Sequence, residues 1–178
     1  KILLGFIEYH QQIKNTSENR NDQFELYSQD LSQLIELAIQ QPNKLYLIAH
    51  FIKVSEEKYD SFHYETLRKG LWEKADVLVK LIHNLPNVKR IIQGIDAASN
   101  ELETPPEVLA PIYRFCRFNG IKHFTYHVGE DFEHLISGIR AIYEAIEFLP
   151  LQNGDRLGHA TAIGITPKFW LNNSPNIL

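Results

Sequence analysis

Cysteine occurs once in this chain of 178 residues, as Cys116, and methionine does not occur at all. A single thiol excludes an internal disulfide and fits a reducing compartment, so the expected location is the cytoplasm. The missing methionine, with a chain that opens at Lys1, predicts a piece of a larger protein. Basic excess is lacking too: 18 Lys and Arg against 22 Asp and Glu leave a formal net charge of −4. That balance gives no support to DNA or RNA binding through bulk charge. No apolar run is long enough to span a membrane, and no secretory leader is visible. No Gly-x-Gly-x-x-Gly follows a strand and no Walker loop occurs, which removes the usual phosphate cradles and with them a nucleotide cofactor.

What is present alternates. The run 2–7 is compact and apolar, a strand or a helix end, with His10 after it as ordinary surface. Residues 14–22 are polar without period and predict a loop. From Gln23 to Gln41, Phe24, Tyr27, Leu31, Leu34, Ile35 and Ala38 recur at helical spacing, and Pro42-Asn43 ends the run. Lys44–Val54 is nearly continuously apolar, as a parallel strand covered on both faces would be, so His50 inside it reads as a buried, hydrogen-bonded core histidine. Tyr64–Leu85 predicts a long amphipathic helix stopped by Pro86-Asn87, with His63 just before it, and Val88–Ala97 predicts the next strand, ending near Asp96. Thr104-Pro105-Pro106-Glu107 has capping-box spacing and opens a helix whose apolar face includes Cys116 as a small core residue. Strands and helices alternate with no hairpin signal, which predicts a parallel sheet with helices outside it.

Chemistry concentrates after Asn119-Gly120. Residues 121–126 are short, β-branched and aromatic, and read as a strand; Gly129 allows a sharp turn, and a helix is expected over Phe132–Leu149. His127 and Glu130 thus fall at a strand-to-helix junction, the edge at which parallel α/β proteins bind ligands. An imidazole there can ligate a metal, and a carboxylate three residues on can reach a substrate atom beside it. Capping of the helix accounts for His-x-x-Glu alone equally well. Asp131 fits a helix cap better than a site role. One βα unit later, Arg156-Leu157-Gly158-His159 repeats the pattern of a strand ending in histidine after Asn153-Gly154. Arg156 reads as one half of a structural ion pair, and His83, His123 and His134 have no site context. Asp96 is open between orienting a metal ligand or water and anchoring a loop.

The stretches HVGE (127–130) and RLGH (156–159), in that order and with Gly94-Ile95-Asp96-Ala97-Ala98-Ser99-Asn100-Glu101 before them, resemble the adenosine deaminase-like branch of the metal-dependent amidohydrolases. The wording around 124–141 looks closer to the large, divergent bacterial members, some of them from anti-phage systems, than to the housekeeping enzyme. The resemblance implies a partial (β/α)8 TIM barrel, strands three to six with outer helices, as a single fragment over 1–178. A whole barrel takes about 250 residues. It implies zinc, with His127 as a ligand, Glu130 passing a proton to the purine ring nitrogen and His159 orienting and deprotonating the attacking water. Asp96, Ser99 and Gly129 would stand behind the metal ligand or line the substrate pocket. The expected substrate is a purine nucleoside or nucleotide, deaminated hydrolytically, with homo-oligomers open.

The chain departs from the family at several points. It has no His-x-His pair and no match to the late aspartate, so this stretch alone is expected to bind zinc poorly. Ser99-Asn100 stands where the family has Gly-Asp, and Ala160 where it commonly has glycine. The single cysteine argues against the other deaminase architecture, whose zinc needs a Pro-Cys-x-x-Cys pair. Hydrolysis of another amine or amide, and a degenerate barrel acting as an assembly module, stay open beside deamination.

Overall fold

The computed structural model describes residues 46–58 and 60–173, together with Gln33, Glu36 and Gln40. Those three are helical and exposed, as the polar face of the helix expected over 23–41 would be. The expectations for the run 2–7, His10 and the loop 14–22 lie outside the described residues.

Four strands, β1 (Leu47–Lys53), β2 (Ile92–Ser99), β3 (His123–Val128) and β4 (Arg156–His159), form one sheet in the order β1-β2-β3-β4. All three pairings are parallel. Between the strands run α1 (Glu65–Asn84) and α2 (Pro86–Ile91), then α3 (Pro106–Phe118), then α4 (Leu135–Phe148). The short α5 (Thr161–Gly164) and α6 (Pro167–Asn173) follow β4. The chain is therefore mixed α/β with helices in the crossovers. Among the described residues no helix is long and apolar enough to cross a membrane.

The order never reverses, and right-handed crossovers in such an order put every helix on the same side of the sheet. Successive helices do pack on one another, α1 against α3 and α3 against α4. The strand residues on that side are buried: Ala49, Phe51, Ile95, Ala97, Phe124, Tyr126 and Val128. Tyr113 of α3 ties the two layers, packing on Phe124 and Tyr126 and donating its hydroxyl hydrogen to the Thr125 carbonyl at 2.6 Å. On the other side Ile48, His50, Ile52, Thr125, His127 and Gly158 are only half-buried.

Several local expectations are corrected. Val88–Ile91 is helical, not strand: Leu85, held extended before a proline (φ −121°, ψ 98°), ends α1, and Pro86 starts α2 in its first turn. The Thr104 capping box does not form; Pro105 precedes α3, and the Thr104 hydroxyl donates to the Val54 carbonyl at 2.6 Å. Helix α4 begins at Leu135 and not Phe132, with His134 at its N-cap and the His134 N–H directed to Ser137 Oγ at 3.3 Å, so Asp131 is not the cap. Arg156 has no ion-pair partner among the described residues; the pair near the start of β4 is Arg117 with Asp155, which also accepts the Phe124 N–H at 3.0 Å. Cys116 is fully buried, as expected for a core residue.

Candidate functional site

Register places His50, Asp96, Thr125 and Arg156 in one row across the sheet, with His127 and Gly158 two residues further toward the strands' C-terminal ends. Alternation puts these side chains on the face that the crossover helices, among the described residues, leave uncovered. Asp96 is 2% exposed. Its Oδ1 lies 3.1 Å from His127 Nδ1 and its Oδ2 3.0 Å from His50 Nδ1. A buried carboxylate needs donors; His127 supplies a hydrogen bond and His50 stands within reach of the second oxygen. The reading of His50 as a buried core histidine is corrected: its side chain is 31% exposed and belongs to this cluster.

The strands end in turns that turn the backbone sharply. Gly129 (φ +78°) follows β3, as the sequence predicts, while Ser99 (φ +91°), His159 (φ +62°) and Ala160 (φ +49°) hold left-handed conformations at the ends of β2 and β4 without being glycine. Such positions cost an L-residue roughly 1–2 kcal/mol each and persist where surrounding contacts fix them. Ala160 is fixed by its N–H to the Val128 carbonyl at 3.0 Å, and Thr161 by its hydroxyl to the Gly129 carbonyl at 2.7 Å. These bonds stitch the β3 turn to the β4 turn.

The stitching brings the two motifs together. The rings of His127 and His159 are 5.1 Å apart between centroids, and His159 Nε2 lies 3.1 Å from Glu130 Oε2. Gly158 permits the approach of β4, because a Cβ there would stand 2.5 Å from Cδ2 of the His127 ring. Glu130 and His159 are both accessible to a ligand, at 51% and 40% exposure. Ser99 is exposed at the same edge.

Two supporting groups act through backbone bonds that no motif records. Lys53, at the end of β1, is 1% exposed, donates to the His127 carbonyl and sits 4.1 Å over the Tyr126 ring. Burial lowers its pKa to about 8, against the opposing pull of Glu101, Asp96 and Asp131. Glu101 accepts the N–H groups of Glu130 (3.0 Å) and Asp131 (3.4 Å), holding the HVGE turn from the β2–α3 loop. A lysine closing an apolar strand is the one sequence signal that pointed to the first. Away from the cluster, His63 lies among Glu56 and Glu107, His83 lies near the Asn119 carbonyl, and His123 is exposed.

The arrangement can exchange a proton between Glu130 and His159 and can present the outer nitrogen of His127 to a ligand. Among the described residues no group of three or more His, Cys, Asp or Glu side chains is disposed to hold a metal ion. Comparison with protein-family models finds no match, and comparison with curated proteins finds none either.

Proposed function

We propose that the chain forms strands three to six of a (β/α)8 barrel of the adenosine deaminase type, and that the whole protein deaminates adenosine or an adenine nucleotide by zinc-dependent hydrolysis. The observation that carries the reading is the gathering of His127, Asp96, Glu130 and His159 at the C-terminal ends of β2, β3 and β4. Two further features support it. Among the described residues the crossover helices lie on one side of the parallel sheet, leaving a face that barrel closure would bury, whereas a doubly wound sheet carries helices on both. Ser99 and Ala160, which stand where the family has glycine, hold positive φ.

The donor chemistry fits zinc in part. His127, with Nδ1 turned to the buried Asp96, has Nε2 left for a metal, the usual carboxylate–histidine arrangement. One such histidine is a single ligand of the three that a catalytic zinc takes from protein, and the others would come from outside the described residues. Bound zinc would supply a water acidified to near pH 7. The chain's own residues do the rest of the proton handling. Glu130, tethered by Glu101 and placed beyond a glycine turn, is positioned to protonate a ring nitrogen of the substrate, and His159 Nε2 beside it to take a proton from water.

Ammonia release from adenosine and from ATP, with zinc content, tests the reading on the full-length protein. The intact protein is expected to hold about one zinc and to release ammonia. Glu130→Ala should keep the metal and lose turnover; His127→Ala should lose both. An intact protein with neither metal nor ammonia release overturns the proposal in favour of a scaffold barrel. Ser99, exposed at the end of β2, favours one alternative, hydrolysis of a different amine or amide, which a panel of such substrates would reveal.

A further inference from the structure

His50 is the polar residue in the middle of the strand Leu-Ile-Ala-His-Phe-Ile-Lys, and it stands level with Asp96 in the β1–β2 register. No metal-ligand motif includes it. Asp96 has two oxygens and, among the described residues, one partner for each: His127 Nδ1 on Oδ1 and His50 Nδ1 on Oδ2. An ionised carboxylate only accepts, so the His127 nitrogen bonded to it must carry a hydrogen, and the His50 nitrogen 3.0 Å from the second oxygen can satisfy it only by carrying one too. Remove His50 and a nearly fully buried carboxylate is left with one oxygen unsatisfied and its plane free to rotate. The bond to His127 would then lose its fixed direction.

We propose that His50 is a positioning residue of this site: through Asp96 it holds the His127 ring and the tautomer, Nδ1–H with Nε2 bare, that faces the strand edge. The rest of the His127 environment fixes position but not tautomer. Lys53 binds its backbone carbonyl, and Gly158 only leaves room for the ring. The side-chain direction and the place of the proton therefore depend on the His50–Asp96–His127 chain. The consequence for metal binding rests on the zinc reading above; the tautomer itself does not.

The test is side-chain ¹⁵N NMR of the histidines in the metal-free protein, followed by zinc titration of the same samples. The wild type should show His127 with a protonated Nδ1 and a bare Nε2. His50→Leu should mix the two tautomers, and His50→Asn, whose amide nitrogen falls near the place of Nδ1, should restore the single form. His50→Gln, whose amide reaches instead toward the place of Nε2, should not restore it; this pair decides the matter even where the leucine variant does not fold. Zinc affinity should fall roughly 10–100-fold in the leucine and glutamine variants and return in the asparagine variant. A His127 tautomer unchanged in His50→Gln, or equally disturbed in His50→Asn and His50→Gln, overturns the proposal. Tautomer control without zinc binding in any variant upholds the positioning role and overturns the zinc reading instead.

Discussion

The two faces of the sheet are made by the same four strands and obey different rules. On the helix side β1 to β3 present Ala49, Phe51, Ile95, Ala97, Phe124, Tyr126 and Val128, all buried and packed under α1, α3 and α4. On the other side the same strands present His50, Asp96, Thr125 and His127. A parallel sheet usually buries apolar residues on both faces. Polar groups that are buried or half-buried cost stability unless they have polar partners, and here they gather around one carboxylate. The covered face is apolar and holds the helical layer, the other carries a polar cluster, so substitutions on each should fail in different ways.

The largest separation should come from Phe124→Ala set beside His127→Ala. Phe124 is 1% exposed, packs against Tyr113 and lies 4.0 Å from the Arg117 guanidinium. Its truncation should cost about 3–5 kcal/mol in denaturant unfolding. Removing the half-exposed His127 ring should shift stability by no more than about 1–3 kcal/mol, the price of one partner lost to Asp96. Equal losses would erase the division between the faces.

Lys53 sharpens the comparison, since it sits on the covered side yet serves the turn that carries Glu130. Its folded pKa, about 8, lies below the ordinary lysine value of 10.5. Between those values the unfolded chain binds more protons than the folded one, so this residue's contribution to stability rises with pH from about 8 to 10.5. The full swing is on the order of 3 kcal/mol by linkage. Cys116, whose thiol burial raises to about 12, acts in the opposite sense at alkaline pH. The measurement is therefore the stability difference between wild type and Lys53→Met at pH 7 and pH 10, which should move in favour of the wild type. A pH-independent difference would mean that Lys53 is not desolvated as its surroundings imply.

The smallest effect is expected at Ala160, whose left-handed backbone (φ +49°) glycine adopts freely. Ala160→Gly should stabilise by about 0.5–1 kcal/mol, part of the relief being offset by the greater freedom of glycine in the unfolded chain. Thermal melting reads it directly. A destabilised variant would place the methyl group's packing above the backbone strain.

Much of the covered face was legible in advance because its signals are local. The helix predicted over Tyr64–Leu85 is α1 at Glu65–Asn84, and the strand within Lys44–Val54 is β1. Val88 to Ile91 misled, since β-branched residues suggest strand while the decisive feature is Pro86, which suits a helical first turn better than a stop. Of the site, the HVGE and RLGH stretches were readable as motifs, and the structure does bring them together, His127 beside His159 and His159 beside Glu130. His50 was not, because in an apolar strand a histidine looks like core until the register of the next strand sets an aspartate beside it. Lys53 and Glu101 act on backbone groups of residues far along the chain, and no spacing in the sequence records such bonds.

The lone thiol gives the molecule a built-in clock. Cys116 is inaccessible on α3, and its raised pKa leaves almost no thiolate at neutral pH, so an alkylating reagent can act only while α3 is lifted from the sheet. With no other cysteine to label, the alkylation rate counts those openings one molecule at a time, and its response to a ligand on the far face reports how firmly that face grips the helical layer behind it.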